Sequence, residues 1–366
     1  MKKMIAVFLL MLIAAALYAC SSQTESETDT PSQPSFDIPD PAFARPQDRI
    51  ENFIETEDCY YYLYQGKTYF SSKEDPAFYL LCGKPDCSHG GTDCNAYTGF
   101  ALGWWQGKLY GVGEYDADYI LFSMDADGSN HSEIAKIEQP IGIDGVQGGS
   151  YTFLFHNGCL YYAVDATPNA FYSVDLSSGK TTRLFEDLLK DGAGIVPPYR
   201  FDGDNMYLVI RELSGKAALY RCQNLEAEKV CDWDFDVPQW NIEGQTVFFY
   251  SAEHQAFCEY DISADALTEK SPLPITGGVA YYDTDRIYFV AWETFGAPSS
   301  FKVFERNYQL LDEMPLSSMQ DYLFAAGDKL FFTGMPSCPI TYYVPASTVG
   351  TGHMELVKVT DPYALR

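Results

Sequence analysis

Four side chains within one short stretch have the types and spacing to hold a metal ion. The segment reads Leu81-Cys82-Gly83-Lys84-Pro85-Asp86-Cys87-Ser88-His89-Gly90-Gly91-Thr92-Asp93-Cys94, a Cys-x4-Cys-x-His-x4-Cys pattern. Three thiols and an imidazole make a Cys3His donor set, which suits tetrahedral zinc, and Pro85, Gly90 and Gly91 supply the tight turns that would gather it. Four protein ligands leave no coordination position open, so a single zinc here would be structural and not catalytic. Two other readings of the same residues stand beside it. One is a disulfide between two of the three cysteines, which leaves one thiol over and His89 without a task; the other is free thiols throughout. Cys222 and Cys231 flank the turn of an expected hairpin, YRCQNLEAEKVCDW, and are candidates for a cross-strand disulfide. Cys59, Cys159, Cys258 and Cys338 sit singly in apolar stretches, where a buried free thiol is the ordinary outcome.

Other chemistry is sparse. The chain has no His-Glu-x-x-His, no Gly-x-Ser-x-Gly and no phosphate-binding loop. The five histidines, His89, His131, His156, His254 and His353, are scattered, and His156 beside the turn Asn157-Gly158 reads as a satisfied turn residue. Asp125 and Asp127 share an Asp/Gly-rich turn but lack the bidentate acid that closes an EF-hand type calcium loop. Lys and Arg number 24 against 51 Asp and Glu, for a net charge of −27. Nucleic acid is therefore excluded as a partner, because phosphate binding needs basic patches. The acidity itself reads as solubility at an exposed surface, with attraction for cations or basic partners as the other reading.

The elements that must position these residues are short strands. A strand, a tight polar turn and a Tyr- or Phe-rich strand recur about every forty to fifty residues, with turns at Gly66-Lys67, Gly107-Lys108, Gly158-Cys159, Asp204-Asn205, Gln245-Thr246, Asp285-Arg286 and Asp328-Lys329. Seven such units predict an all-β chain folded as a seven-bladed β-propeller over residues 47–366. The second unit shows four strands most clearly: Phe100 to Trp105, Lys108 to Gly113, Tyr119 to Met124, and Ser132 to Ile137 after the turn at Asp125–Asn130. The cysteine insert at 82–94 falls where the first blade should have its outer strand. Ring closure has two solutions in the sequence. Either Ile50 to Glu55 adds a strand to the last blade, or His353 to Thr360 completes that blade unaided.

Long loops on a rigid scaffold are where a propeller binds. The loops between second and third strands include 114–118, 165–170, 211–216 and 292–299; those leading into inner strands include 140–150, 191–200 and 236–240. Acids beside aromatics on them give the candidate ligand-binding residues Tyr115, Asp116, Asp118, Tyr199, Arg200, Trp240, Trp292 and Glu293. The same aromatics also fit ordinary packing between blades.

The N-terminus is of another kind. Lys2 and Lys3 precede an apolar run from Met4 to Leu17, too short for a convincing membrane span, so residues 1–19 read as a signal peptide. Residues 20–46 are dominated by Ser, Thr, Gln, Pro, Glu and Asp, and read as a flexible, disordered tether. Leu17-Tyr18-Ala19-Cys20 resembles a bacterial lipobox, with Tyr18 bulkier than the residue usual there. The resemblance implies cleavage before Cys20, lipidation of Cys20, and anchoring on the extracytoplasmic face of the cell membrane. The stretch LFSMDADGSN resembles the third strand and turn of TolB-type and YWTD-type propellers, although the YWTD tetrapeptide is absent. The chain as a whole, insert included, is similar to uncharacterised β-propeller lipoproteins of anaerobic Firmicutes. These readings converge on a surface-anchored, non-enzymatic binding or scaffold module for an extracellular protein, peptide or glycan. The alternatives are an enzyme processing extracellular polysaccharide or peptide on the loop face, and a metal-handling protein working through the Cys3His insert. Oligomeric state is not written in the sequence.

Overall fold

The computed structural model describes residues 53–359 apart from 75, 90, 117, 139–149, 166–169, 190–192, 224–225, 235–239, 276, 284, 295–296, 317–321 and 334–339. The signal segment, Cys20, the tether and Cys338 lie outside the described residues. Within them the chain forms seven four-stranded antiparallel sheets, the blades of a seven-bladed propeller. Blade 1 comprises β1 (Phe53–Glu55), β2 (Cys59–Tyr64), β3 (Lys67–Ser72) and β4 (Tyr79–Leu80). Blade 2 comprises β5 (Leu102–Trp105), β6 (Lys108–Tyr115), β7 (Asp118–Asp125) and β8 (Ser132–Ile137). The other blades begin at Ser150, Gly194, Trp240, Gly277 and Tyr322, and each runs in sequence order from its first strand to its fourth.

Local chemistry explains why the strands turn where they do. Gln65-Gly66, Gln106-Gly107 and Asn157-Gly158 all hold positive φ at both central positions, the type I′ geometry whose twist matches a two-residue hairpin. Apolar residues then face both sides of each middle strand, because every blade is sandwiched between two others. In β6, Leu109 to Gly113 are buried in succession, and the segment Asn205–Arg211 of blade 4 buries Met206 to Ile210. Outer strands are polar instead: Ala266–Pro272 of blade 5 is exposed along nearly its whole length. The core is accordingly a set of clusters in the joints between blades. One of them joins blades 1 and 2 through Tyr61, Leu63, Trp104, Leu109 and Phe122.

The phase of the first repeat differs from the sequence reading. Gly66 turns the chain from β2 into β3, whereas Gly107 and Gly158 join the first and second strands of their blades. The first hairpin of blade 1 turns instead at Thr56–Cys59, where the Thr56 N–H and Oγ1 both donate to the Cys59 carbonyl, without a glycine. Phe53–Glu55 is thus the inner strand of blade 1 and not a closing strand of the last blade. Blade 7 draws its outer strand, Val357–Lys358, from its own C-terminal run. Side chains seal the joint between blades 7 and 1. Glu55 accepts from the Gly327 N–H at 2.9 Å and pairs with Lys73 at 2.8 Å, while the Lys329 ammonium donates to the Lys73 carbonyl at 2.7 Å.

Candidate metal centre

The cysteine insert begins directly after β4 and is anchored at one residue of β3. The Leu81 N–H donates to the Thr68 carbonyl at 3.0 Å as the chain leaves the sheet. As it returns, the Thr68 N–H donates to the Ala96 carbonyl at 2.7 Å, and the buried hydroxyls of Thr68 and Thr98 meet at 2.7 Å. The loop therefore starts and ends at the same point on the sheet edge, which brings ligands from both of its arms together. The insert takes the place of most of an outer strand, since β4 has only two residues.

The sulfurs of Cys82, Cys87 and Cys94 and a ring nitrogen of His89 all lie within 4.8 Å of one another. A zinc ion with sulfur bonds of about 2.3 Å places tetrahedral ligand atoms roughly 3.8 Å apart, so a small contraction suffices to close the site. Cys82 and Cys94 are buried, and Cys87 and His89 half-buried. His89 adopts φ +56, which turns its ring back toward the sulfurs, and its Nδ1 lies 3.5 Å from Cys94 Sγ.

Backbone amides face each sulfur. The His89 N–H donates to Cys87 Sγ and the Ala96 N–H to Cys94 Sγ, each at 3.4 Å. Burial works to raise the Cys82 thiol, but the amides of Lys84 and Asn95 outweigh it and hold the group below its ordinary value. Each cysteine is thus served by the N–H two residues further on. Metal-free, the cluster would hold a proton on Cys94, which burial pushes up to about 11. All three cysteines are free in the structure.

The insert is wedged into the joint between blades 1 and 2. Gly128, at φ +76 in the turn after β7, lies so close that a Cβ there would fall 2.1 Å from the Asn95 carbonyl oxygen. Tyr61 of β2 donates its hydroxyl to the Ala126 carbonyl of the same turn at 3.1 Å. Beside the insert runs a groove of about 1160 Å³, walled by residues 81–85, His89, Asn95, Ala126 and Asp127. Three aromatics, Tyr61, Phe70 and Tyr79, also line it. Trp104 stacks on Tyr61 at 5.8 Å, Tyr61 is the register partner of Phe70, and Phe70 that of Tyr79.

The loop-face candidates are distributed differently from the sequence reading. Tyr115, Asp116 and Asp118 do come together, lining a cleft of about 300 Å³ with His131, Glu133 and Lys136. Asp118 pairs with Lys136 at 2.5 Å, and burial pushes the Tyr115 hydroxyl up to about 12. His131, which the sequence did not single out, stacks on Phe122 at 5.1 Å. Tyr199, Arg200 and Trp240 are not loop platforms, because the expected loop 191–200 is largely the strand Gly194–Asp202, and all three are at most 2 % exposed. Tyr199 packs on blade 3, donating its hydroxyl to the Thr152 carbonyl at 2.7 Å, while Arg200 donates Nε to the Trp240 carbonyl of blade 5 at 2.8 Å and lies 5.7 Å over its ring. Trp292 and Glu293 lie in the strand Arg286–Thr294, which shortens the expected loop, and the Trp292 indole covers Gly277. The side chain of Glu293 lies outside the described residues.

Two further expectations are corrected. Cys222 faces Ala227 and Cys231 faces Leu219, so the two thiols are out of register and free. His156 is not a satisfied turn residue. It stacks on Phe201 at 3.8 Å, its Nε2 has no hydrogen-bond partner among the described residues, and burial lowers its imidazole to about 4.

Fold and site together define a seven-bladed β-propeller with a Cys3His cluster clamped between its first two blades. No protein-family model matches the chain, and no curated protein sequence matches it. Solved structures match by shape. PorZ, described as an essential bacterial surface component of the type-IX secretion system of Porphyromonas gingivalis, is similar with a TM-score of 0.53 at 11% identity, over 87% of this chain and 39% of that one. Puromycin hydrolase gives 0.52 at 13% identity, over 88% and 56%, and acylaminoacyl peptidase 0.51 at 9%, over 89% and 54%. The chain thus spans about half or less of each of these proteins, and the likeness is one of fold.

Proposed function

We propose that this chain is a lipoprotein anchored through Cys20 on the extracytoplasmic face of the cell membrane. Its propeller is a non-enzymatic binding or scaffold module for an extracellular protein, peptide or glycan. Its Cys82, Cys87, His89 and Cys94 cluster holds one structural zinc. The observation that carries this reading is the cluster itself: four soft or borderline donors gathered within 4.8 Å, each sulfur facing a backbone amide, in a joint between two blades. A ring of rigid blades suits presentation of a binding face, and the net charge of −27 supports partners other than nucleic acid. Four ligands leave the ion no open position, which favours a structural over a metal-handling role. The hydrolases with similar structures lend the fold and no reaction.

Metal analysis with thiol titration, on the full chain purified without oxidants, tests the centre. About one zinc per chain is expected, lost in Cys87→Ser and His89→Ala together with thermal stability. A metal-free protein with two thiols missing from the titration would instead make the insert a disulfide staple. Fractionation of cells making Cys20→Ser tests the anchor: the variant is expected to leave the membrane fraction, and its retention there would defeat the lipoprotein reading.

A further inference from the structure

We propose that the groove beside the insert binds a neutral polysaccharide chain, stacked on Phe70 and Tyr79 and hydrogen-bonded along the rim by Lys84, Asn95 and Asp127. This inference rests on the binding-module reading and names its ligand class and site. It starts from the aromatic row. Exposure rises along it, from Tyr61 at 5% to Phe70 at 37% and Tyr79 at 48%. The chain buries its aromatics almost everywhere else. Among the described residues only Phe70, Tyr79 and Phe100 stand exposed, and two of those three are cross-strand partners in this groove, with ring centroids 6.1 Å apart. Leaving two adjacent rings in water forgoes burial that a closer fold would have gained, and such patches mark interaction sites.

The surroundings of the rings select the ligand. A sugar ring carries an apolar face of C–H groups, which lies flat on an aromatic ring, and a rim of hydroxyls that both donate and accept. The groove lining offers both kinds of group: aromatic rings, and beside them Lys84, Asn95 and Asp127, which carry an ammonium donor, an amide that donates and accepts, and a carboxylate acceptor. Lys84 already donates to the Asp93 carbonyl at 3.0 Å, and Asp127 is turned partly toward Ser129, so neither forms an anion- or cation-binding cluster. The net charge of −27 disfavours an acidic polymer. A volume of about 1160 Å³ exceeds the roughly 300–1,000 Å³ of a small-molecule pocket and gives room for several sugar units. Residues 81–85 and His89 share the lining, so the Cys3His centre holds Lys84 beside the exposed rings.

Affinity electrophoresis of the full chain in detergent, through native gels containing mixed-linkage β-glucan, xylan, galactomannan or amylopectin, tests the proposal. At least one polymer is expected to retard the protein. Phe70→Ser and Tyr79→Ser should each weaken that retardation at least tenfold while the variants still fold and melt cooperatively, since both side chains are already more than a third exposed. Lack of retardation by every polymer overturns the proposal. Retardation unchanged in both variants also overturns it, but leaves the binding-module reading intact on another face. Peptide-display selection on the same protein separates the remaining case: a peptide that needs Tyr79, with no polymer bound, keeps the binding module and discards the polysaccharide.

Discussion

The fit of the insert against blade 2 can be measured with one methyl group. Gly107 and Gly128 both sit at φ +76, so alanine suffers the same backbone strain at either, about 1–2 kcal/mol. They differ in what the methyl meets. At Gly107 there is nothing within 4 Å; at Gly128 it meets the Asn95 carbonyl oxygen at 2.1 Å, the Asn95 carbonyl carbon at 2.9 Å and Leu81 Cδ2 at 3.0 Å. The obstruction is backbone, held by Cys94 on one side and by the Thr68 bond to Ala96 on the other, so relief requires the insert to move. Such overpacking costs about 1–3 kcal/mol beyond the shared strain. With zinc bound, part of that cost should appear as weaker metal binding, roughly 5- to 100-fold. Gly107→Ala should lower Tm by roughly 2–4 °C and Gly128→Ala by roughly 4–10 °C. Thermal melts, together with zinc competition against a chromogenic chelator, read both effects. Equal losses in the two variants, or unchanged zinc affinity in Gly128→Ala, would refute the claim that the insert is clamped on this turn.

Three further outcomes are expected. His156 takes up its proton near pH 4 in the folded chain and near 6.5 when unfolded, so its contribution is complete above pH 6.5 and is lost as pH falls toward 4, by at most about 3 kcal/mol. In urea titrations across that window His156→Phe should flatten the decline, and an unchanged slope would count against this histidine. The Tyr282 hydroxyl is buried with no hydrogen-bond partner among the described residues, so Tyr282→Phe should be neutral or stabilising by up to about 1 kcal/mol; a fall in Tm of several degrees would show a partner that matters. Cys222 and Cys231 should both alkylate in denaturant without reductant, and an intact mass showing an oxidised pair would contradict the strand register.

The sequence by itself determined the blades and the metal quartet, because both are local. Alternating apolar strands and I′ turns such as Asn157-Gly158 depend on neighbours a few residues away, and Cys82, Cys87, His89 and Cys94 fall in one segment. Where the signal weakened, at the glycine-free turn Thr56–Cys59, the phase of the first blade was misread, and the place of residues 50–55 stayed open between blade 1 and the last blade. Tertiary structure alone decided the rest. An aromatic in a loop and one at the start of a strand look alike in sequence, yet Tyr199 fills the joint between blades 3 and 4 and Trp240 that between blades 4 and 5, and neither offers surface. Nothing local shows that β3 pairs with only two residues of β4, and that pairing is what leaves Phe70 and Tyr79 in solvent. Register, blade-on-blade packing and the anchoring of both arms of the insert at Thr68 are relations between distant residues. They turn a cysteine-rich segment into a clamp with a groove beside it.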